Sequence, residues 1–337
     1  MISGEPSAFS TDGTVELSVE LLSDSGQGMP LGIVPTWRSS DPSVATVSPY
    51  GTVVGRRVGT TTIEAIVGSV RGYAKITVLP ASDTGITIAA HRGFKRVFPE
   101  NTLVAIAGAY ERGADAAEID VRLTVDRVPV VMHDPTVDRT TNGTGAVQFL
   151  TLKQIKQLDA CSKFGSSWTP CEVPTLQEAL ESARGHGMLI LDLEGPYDSA
   201  ALVSVLKSVR SAGMERYVII TSFNYQLLEM VRELDDVIPL GILNSQMPAV
   251  REVARLGRAI GMPDEESLFA APAASSALVT SAFSQNVDVM AWTVSTPEEA
   301  ETLVALGVRH IISDVPLDKN TLRTAAAASR STPALTH

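Results

Sequence analysis

Beyond Ile86 the chain repeats one pattern: a short apolar strand, a turn, an amphipathic helix and another apolar strand. No other feature narrows the fold as far, because strands joined through helices return parallel to one another. The predicted strands are 86–90, 117–122, 188–193, 217–221, 237–242, 267–271, 288–293 and 309–312, eight in all. Helical patterns such as TLQEALESAR, ALVSVLKSVRSAG and PEEAETLVALG lie between them. A ninth apolar run, 128–132, is set off from the second strand by little more than Thr124 to Arg127, too few residues for a parallel crossover. It is predicted to fold back as a hairpin turning near Asp126. The count therefore stays at eight, the number that closes a (β/α)8 TIM barrel, placed at 86–322, with chemistry expected at the C-terminal ends of the strands.

The preceding residues read differently. Runs such as TVELSVELL, TTTIEAIVG and YAKITVL alternate apolar and polar positions between Gly, Pro, Ser and Asp clusters, without helical periodicity. The segment with Trp37, Ser-Asp-Pro, Val-Ala-Thr-Val and Thr-rich closing strands resembles the group 2 bacterial Ig-like domain, which implies a small all-β sandwich over 13–80. It carries no His, no Cys and no clustered carboxylates, so a spacer or adhesion role is expected, with Trp37 in its core. Residues 1–12 are expected to be an N-terminal tail, 81–85 a linker and 323–337 a disordered tail.

Two domains suit 337 residues, and a net charge of −11 without a basic cluster argues against a nucleic-acid partner. No apolar run is long enough to span a membrane as a helix. The N-terminus lacks a basic n-region and an apolar h-region, which implies either a matured chain or export without an ordinary leader. Cys161 and Cys171 are the only cysteines and share one polar loop. They are either separate thiols or, in an extracellular protein, a local disulfide; no neighbouring ligand suggests a metal site.

Chemistry-bearing residues concentrate in residues 86–145, which hold two of the five histidines, His91 and His133. Between them Glu118 and Asp120 stand two apart on a predicted strand, so their side chains share a face. Paired carboxylates repel unless a cation or shared proton holds them, and oxygen ligands suit a hard divalent ion, Ca²⁺ or Mg²⁺. Residues 134–173 form a long polar excursion expected to roof the site.

The ordered set His-Arg-Gly after a strand, Pro-Glu-Asn-Thr, Glu-x-Asp and His-Asp closely resembles the glycerophosphodiester phosphodiesterase family. TSFN at 221–224, AWTVS at 291–295 and GVRHIISDVP at 307–316 extend the resemblance. It implies a TIM barrel hydrolysing glycerol phosphodiesters with a divalent metal held by Glu118, Asp120 and Asp192. It further implies His91 and His133 as the acid/base pair, with Arg92 on the phosphate and Trp292 against the glycerol. Asp314 is expected either to support the site or to cap a helix, while His186 and His310 read as structural or solvated.

Glu194 departs from the family pattern, which has lysine there. As an anion on the inward face it either joins the metal, turns away or alters activity. The expected function is a metal-dependent phosphodiesterase acting on glycerophosphodiesters or on poly(glycerol phosphate) teichoic acid. The alternatives are a non-catalytic glycerophosphate-binding protein, such as a phage tail component, and a phospholipase D-like lyase releasing a cyclic phosphate. The Ig-like module suggests work outside the cytoplasm, at a cell surface or on a virion tail.

Overall fold

In a computed structural model, residues 8–10, 14–17, 19, 21–22, 28–29, 35–57, 59–79, 86–248, 250–257, 259–284 and 287–331 are described. Eight parallel strands form the second domain: β1 (Thr87–Ala90), β2 (Ala116–Leu123), β3 (Met188–Leu193), β4 (Val218–Ser222), β5 (Leu240–Asn244), β6 (Ala259–Pro263), β7 (Asp288–Val294) and β8 (His310–Ser313). Each pairs with its successor, and β1 pairs with both β2 and β8, which closes the barrel. The ninth run forms Pro129–Val131, antiparallel to β2, as the short connection requires.

The period of two along each strand sorts side chains between two cores. Ile119, Val121, Leu189, Leu191 and Leu193 face the surrounding helices, whereas Ala116, Met188, Ile190, Ile260, Met262 and Met290 fill the barrel interior. On the inward face Ala116 is followed by Glu118 and Asp120, and Met188–Ile190 by Asp192. The apolar floor thus gives way to carboxylates at the C-terminal end, where the register sets Asp120 beside Asp192.

The sixth strand corrects the sequence reading. Residues 267–271 are no strand: Glu265–Phe269 is a helix, started by Asp264, whose carboxylate accepts the Glu266 N–H at 2.8 Å. The strand is Ala259–Pro263, whose Gly and Pro hide its apolar alternation. The excursion at 134–173 does not roof the cavity described below. It packs its own small core of Val137, Val147, Ile155, Ala160 and Val173 against the hairpin residues Val130 and Met132, and Cys161 and Cys171 are joined as a disulfide within it. Lys319–Ser331 is helical, so residues 323–331 of the expected tail form a helix, while 332–337 lie outside the described residues. The Ala-rich run favours the helical state, and Leu322 is buried against the barrel.

Upstream, two largely antiparallel sheets enclose Leu17, Val44, Val53, Ile63, Ile76 and Val78, with Trp37 packed against them as a core residue. Ala8–Ser10 belongs to this sandwich, pairing in parallel with Thr77–Leu79, so the expected N-terminal tail contributes a strand. The expected linker, 81–85, lies outside the described residues. Arg216 meets Asp41 at 3.2 Å and Lys75 meets Asp236, contacts that reach the barrel at the N-terminal ends of β4 and β5, away from the carboxylates. Among the described residues no helix is long and apolar enough to cross a membrane.

Candidate active site

β1 ends at Ala90, and the chain turns sharply through His91–Gly93. Arg92 and Gly93 take φ of +50° and +80°, and a Cβ on Gly93 would stand 2.5 Å from that of Ala105. Glycine is needed there for both the left-handed backbone and the close approach. The turn brings the Arg92 N–H to 2.8 Å from Glu118 Oε2 and aims the His91 ring across the strand ends.

Glu118, Asp120 and Asp192 converge there, all buried, each offering an oxygen within 4.8 Å of the others. Burial raises the pKa of Glu118 well above the usual carboxylate range, and the charge on Asp120 adds to it. Asp192 is raised by burial and then by Asp120, Glu118 and Glu194. Among the described residues, Asp192 Oδ1 is buried without a hydrogen-bond partner. An orphaned buried acceptor beside two further carboxylates fits a hard cation, which would supply the missing partner and offset the repulsion. Asp120 is clamped by Asn101, whose amide donates to Oδ2 at 2.6 Å while its carbonyl accepts the Asp120 N–H at 3.1 Å.

The two histidines flank this cluster in similar settings. His91 Nδ1 lies 2.6 Å from Asp314 Oδ1, leaving Nε2 4.0 Å from Glu118. Asp314 therefore supports the site rather than capping a helix. It also meets Lys95 Nζ at 3.2 Å, and despite its burial its pKa is lowered by His91 and Lys95. The hairpin returns His133 to the opposite side, with Nδ1 2.7 Å from Asp134 and Nε2 3.8 Å from Glu194. Hydrogen bonds from Arg139 hold Asp134 below the usual carboxylate range, and Arg139 also binds Glu100 through two bonds of 2.8 Å. Glu100 in turn accepts from Arg92 at 3.1 Å, and Arg92 Nε lies 3.2 Å from Asp120.

Glu194 keeps the inward direction its alternation predicts. Arg122, two positions after Asp120, donates to it at 3.1 Å and to the His133 carbonyl at 2.6 Å. Asp120, His133 and Glu194 form a second grouping within ligand reach of one another. A cavity of about 280 Å³ unites the predicted residues: His91, Arg92, Glu118, Asp120, His133, Asp192, Glu194 and Trp292 all line it. None of residues 134–173 does. Trp292 donates Nε1–H to the Met262 carbonyl at 2.7 Å and stands edge-on to Phe223, ring centres 5.3 Å apart, forming an aromatic wall.

Sequence reasoning assigns no role to Lys95, Asn101, Arg122, Asp134 or Phe223. Asn101 and Asp134 lie within the Pro-Glu-Asn-Thr and His-Asp motifs, and Phe223 within TSFN, so a signal exists for them. Arg122 continues the inward alternation of β2. Lys95 sits in a turn without periodicity and carries no comparable mark. His186 stacks on Tyr110, and His310 is buried at the opposite end of the barrel, so neither reaches the cavity.

A family model for the glycerophosphoryl diester phosphodiesterase family matches residues 91–318, and one for the group 2 bacterial Ig-like domain matches 10–78. The glycerophosphodiester phosphodiesterase of Caldanaerobacter subterraneus subsp. tengcongensis is 35% identical over 235 residues, covering 68% of this chain and 94% of that protein. A solved Oleispira antarctica phosphodiesterase in complex with the product sn-glycerol-3-phosphate superposes with a TM-score of 0.63 at 25% identity, covering 73% of this chain and 97% of that one. The glycerophosphodiester phosphodiesterase structure from Agrobacterium tumefaciens gives 0.61 at 26%, over 71% and 99%.

Proposed function

This chain belongs to the glycerophosphoryl diester phosphodiesterase family, and on that footing we propose that its barrel cleaves glycerophosphodiesters to glycerol phosphate and an alcohol by metal-assisted, histidine-mediated acid–base chemistry. The observation that carries the reading is the buried triad Glu118, Asp120 and Asp192, with Asp192 Oδ1 unpartnered, between two imidazoles that each lean on a carboxylate. A divalent cation, Mg²⁺ or Ca²⁺, held by these three residues would supply positive charge to the non-bridging phosphate oxygens. Arg92 and Lys95 line the same cavity and add fixed positive charge toward the phosphate.

His91 and His133 act as the acid/base pair. Asp314 and Asp134, each on an Nδ1, set the tautomer that leaves Nε2 facing the cavity. One imidazole takes the proton of the neighbouring glycerol hydroxyl as it attacks phosphorus, while the other gives a proton to the departing alkoxide. With the two roles reversed, water then opens the resulting cyclic phosphate to glycerol phosphate. The Trp292–Phe223 wall packs the carbon skeleton of the glycerol. The Ig-like module and the Cys161–Cys171 disulfide together support work in an oxidising setting outside the cytoplasm, at a cell surface or on a virion.

The test is release of glycerol 3-phosphate from glycerophosphocholine and from poly(glycerol phosphate), with Mg²⁺, Ca²⁺ or EDTA, for the wild type and His133→Ala. Metal-dependent release that falls by about 10²–10⁴-fold in the variant is expected. Release unaffected by the variant would remove His133 from the chemistry, and a persistent cyclic phosphate would mark a lyase. Comparing the two substrates decides whether a wall polymer is cleaved.

A further inference from the structure

A second cavity, of about 340 Å³, adjoins the first, and Glu194 lines both. Their charge differs in sign. Four carboxylates face Arg92 and Lys95 in the first, whereas among the described residues lining the second, Arg122 and Arg127 stand with Glu194 as the one carboxylate. Thr124 and Gln148 add polar groups to its wall. Resting on the phosphodiesterase reading, we propose that this second cavity is a subsite for an anionic group on the alcohol side of the substrate, a phosphate one unit beyond the scissile one.

The arginines are suited to it in different ways. Arg122 is fixed: its side chain is 14% exposed and bonded to the His133 carbonyl and Glu194. Gly195 leaves it room, since a Cβ there would stand 3.2 Å from Arg122 Nη1. Arg127 is adjustable. Its partner Asp198 is 62% exposed and its own side chain 52%, and a pair in such contact with water contributes little, so a ligand phosphate can replace it. The backbone beneath is pinned, because Arg127 N–H reaches the Thr124 carbonyl at 2.9 Å and Asp126 accepts the Leu152 N–H at 2.9 Å. A neutral polyol would leave both guanidinium groups without an anion to gain, and a cationic alcohol would meet them unfavourably.

The experiment uses the full chain and three diesters: glycerophosphoglycerol, glycerophosphocholine, and glycerophosphoglycerol bearing a terminal phosphate. The phosphate-bearing diester is expected to show the highest kcat/KM. Arg127→Ala, at an exposed position outside the first cavity, should lower that value by about tenfold while leaving glycerophosphoglycerol within about twofold. Dissociation constants of the same diesters measured in EDTA read the subsite without turnover, and the same selective loss is expected. An equal effect on all three ligands, no effect on any, or a preference for the choline ester would overturn the subsite. Absent turnover with selective binding intact would instead count against the hydrolase reading alone.

Discussion

Asp120 shows how much of the site rests on single contacts. It faces Glu118 and Asp192 in a buried cluster; the Asn101 amide donates to its Oδ2, and the Asn101 carbonyl accepts its backbone N–H. Residues that orient a ligating carboxylate typically contribute 10–100-fold in metal affinity or activity. Asn101→Ala is therefore expected to raise the half-saturating Mg²⁺ concentration by roughly 10–100-fold, read from a metal titration of the rate. An unchanged titration curve would show that Asp120 orients itself. At this scale the sequence is informative where periodicity applies: the alternation at 118–120 is enough by itself to put both carboxylates on one face. Lys95 is invisible to such reasoning because it lies in a turn, where no repeat says which way a side chain points. Arg122 is legible as an inward position, but its pairing with Glu194 depends on how β2 and β3 stand side by side.

Among the elements, strands buried on both faces read clearly and the one interrupted by Gly and Pro does not. Ala-Ile-Gly-Met-Pro is masked by the neighbouring apolar run, although Asp264 followed by Glu265 and Glu266 is a helix start. The neighbouring strands β7 and β8 carry a further buried feature at their N-terminal ends. Asp288 and His310 approach to 3.9 Å inside the barrel, burial pushing the carboxyl up to about 8 and the imidazole down to about 4. Between about pH 4 and the ordinary histidine value of 6.5, folded and unfolded chains each hold one proton on this pair, and stability does not change with pH through it. Above 6.5 the unfolded pair holds none while the folded pair keeps one until about pH 8, so this contribution to stability declines as pH rises across that window. Melting temperatures measured in steps through the window should fall in the wild type and lose that component of the slope in Asp288→Asn. The same slope in both proteins would contradict the assignment.

At the scale of the whole molecule, a strand-and-helix alternation visible in the sequence builds a closed barrel, and the ends of its strands gather every residue predicted for the site into one cavity. The excursion at 134–173 escapes that logic, because its fold depends on a local core and a disulfide rather than on a repeat. The Ig-like sandwich meets the barrel at strand N-termini, leaving the cavity mouth on the other end. The central claim is that the buried carboxylates act as a cation site for phosphodiester cleavage, and Asp192 tests it most directly because it carries the orphaned oxygen. The measurement is the rate of glycerol 3-phosphate formation across a Mg²⁺ and Ca²⁺ series for the wild type and Asp192→Asn, with metal binding followed by calorimetry. The account predicts no turnover in EDTA, restoration by a divalent ion, and about 10–100-fold weaker metal binding with a matching loss of rate at low metal in the variant. Full turnover in EDTA, or a variant that binds metal and turns over as the wild type does, would contradict it.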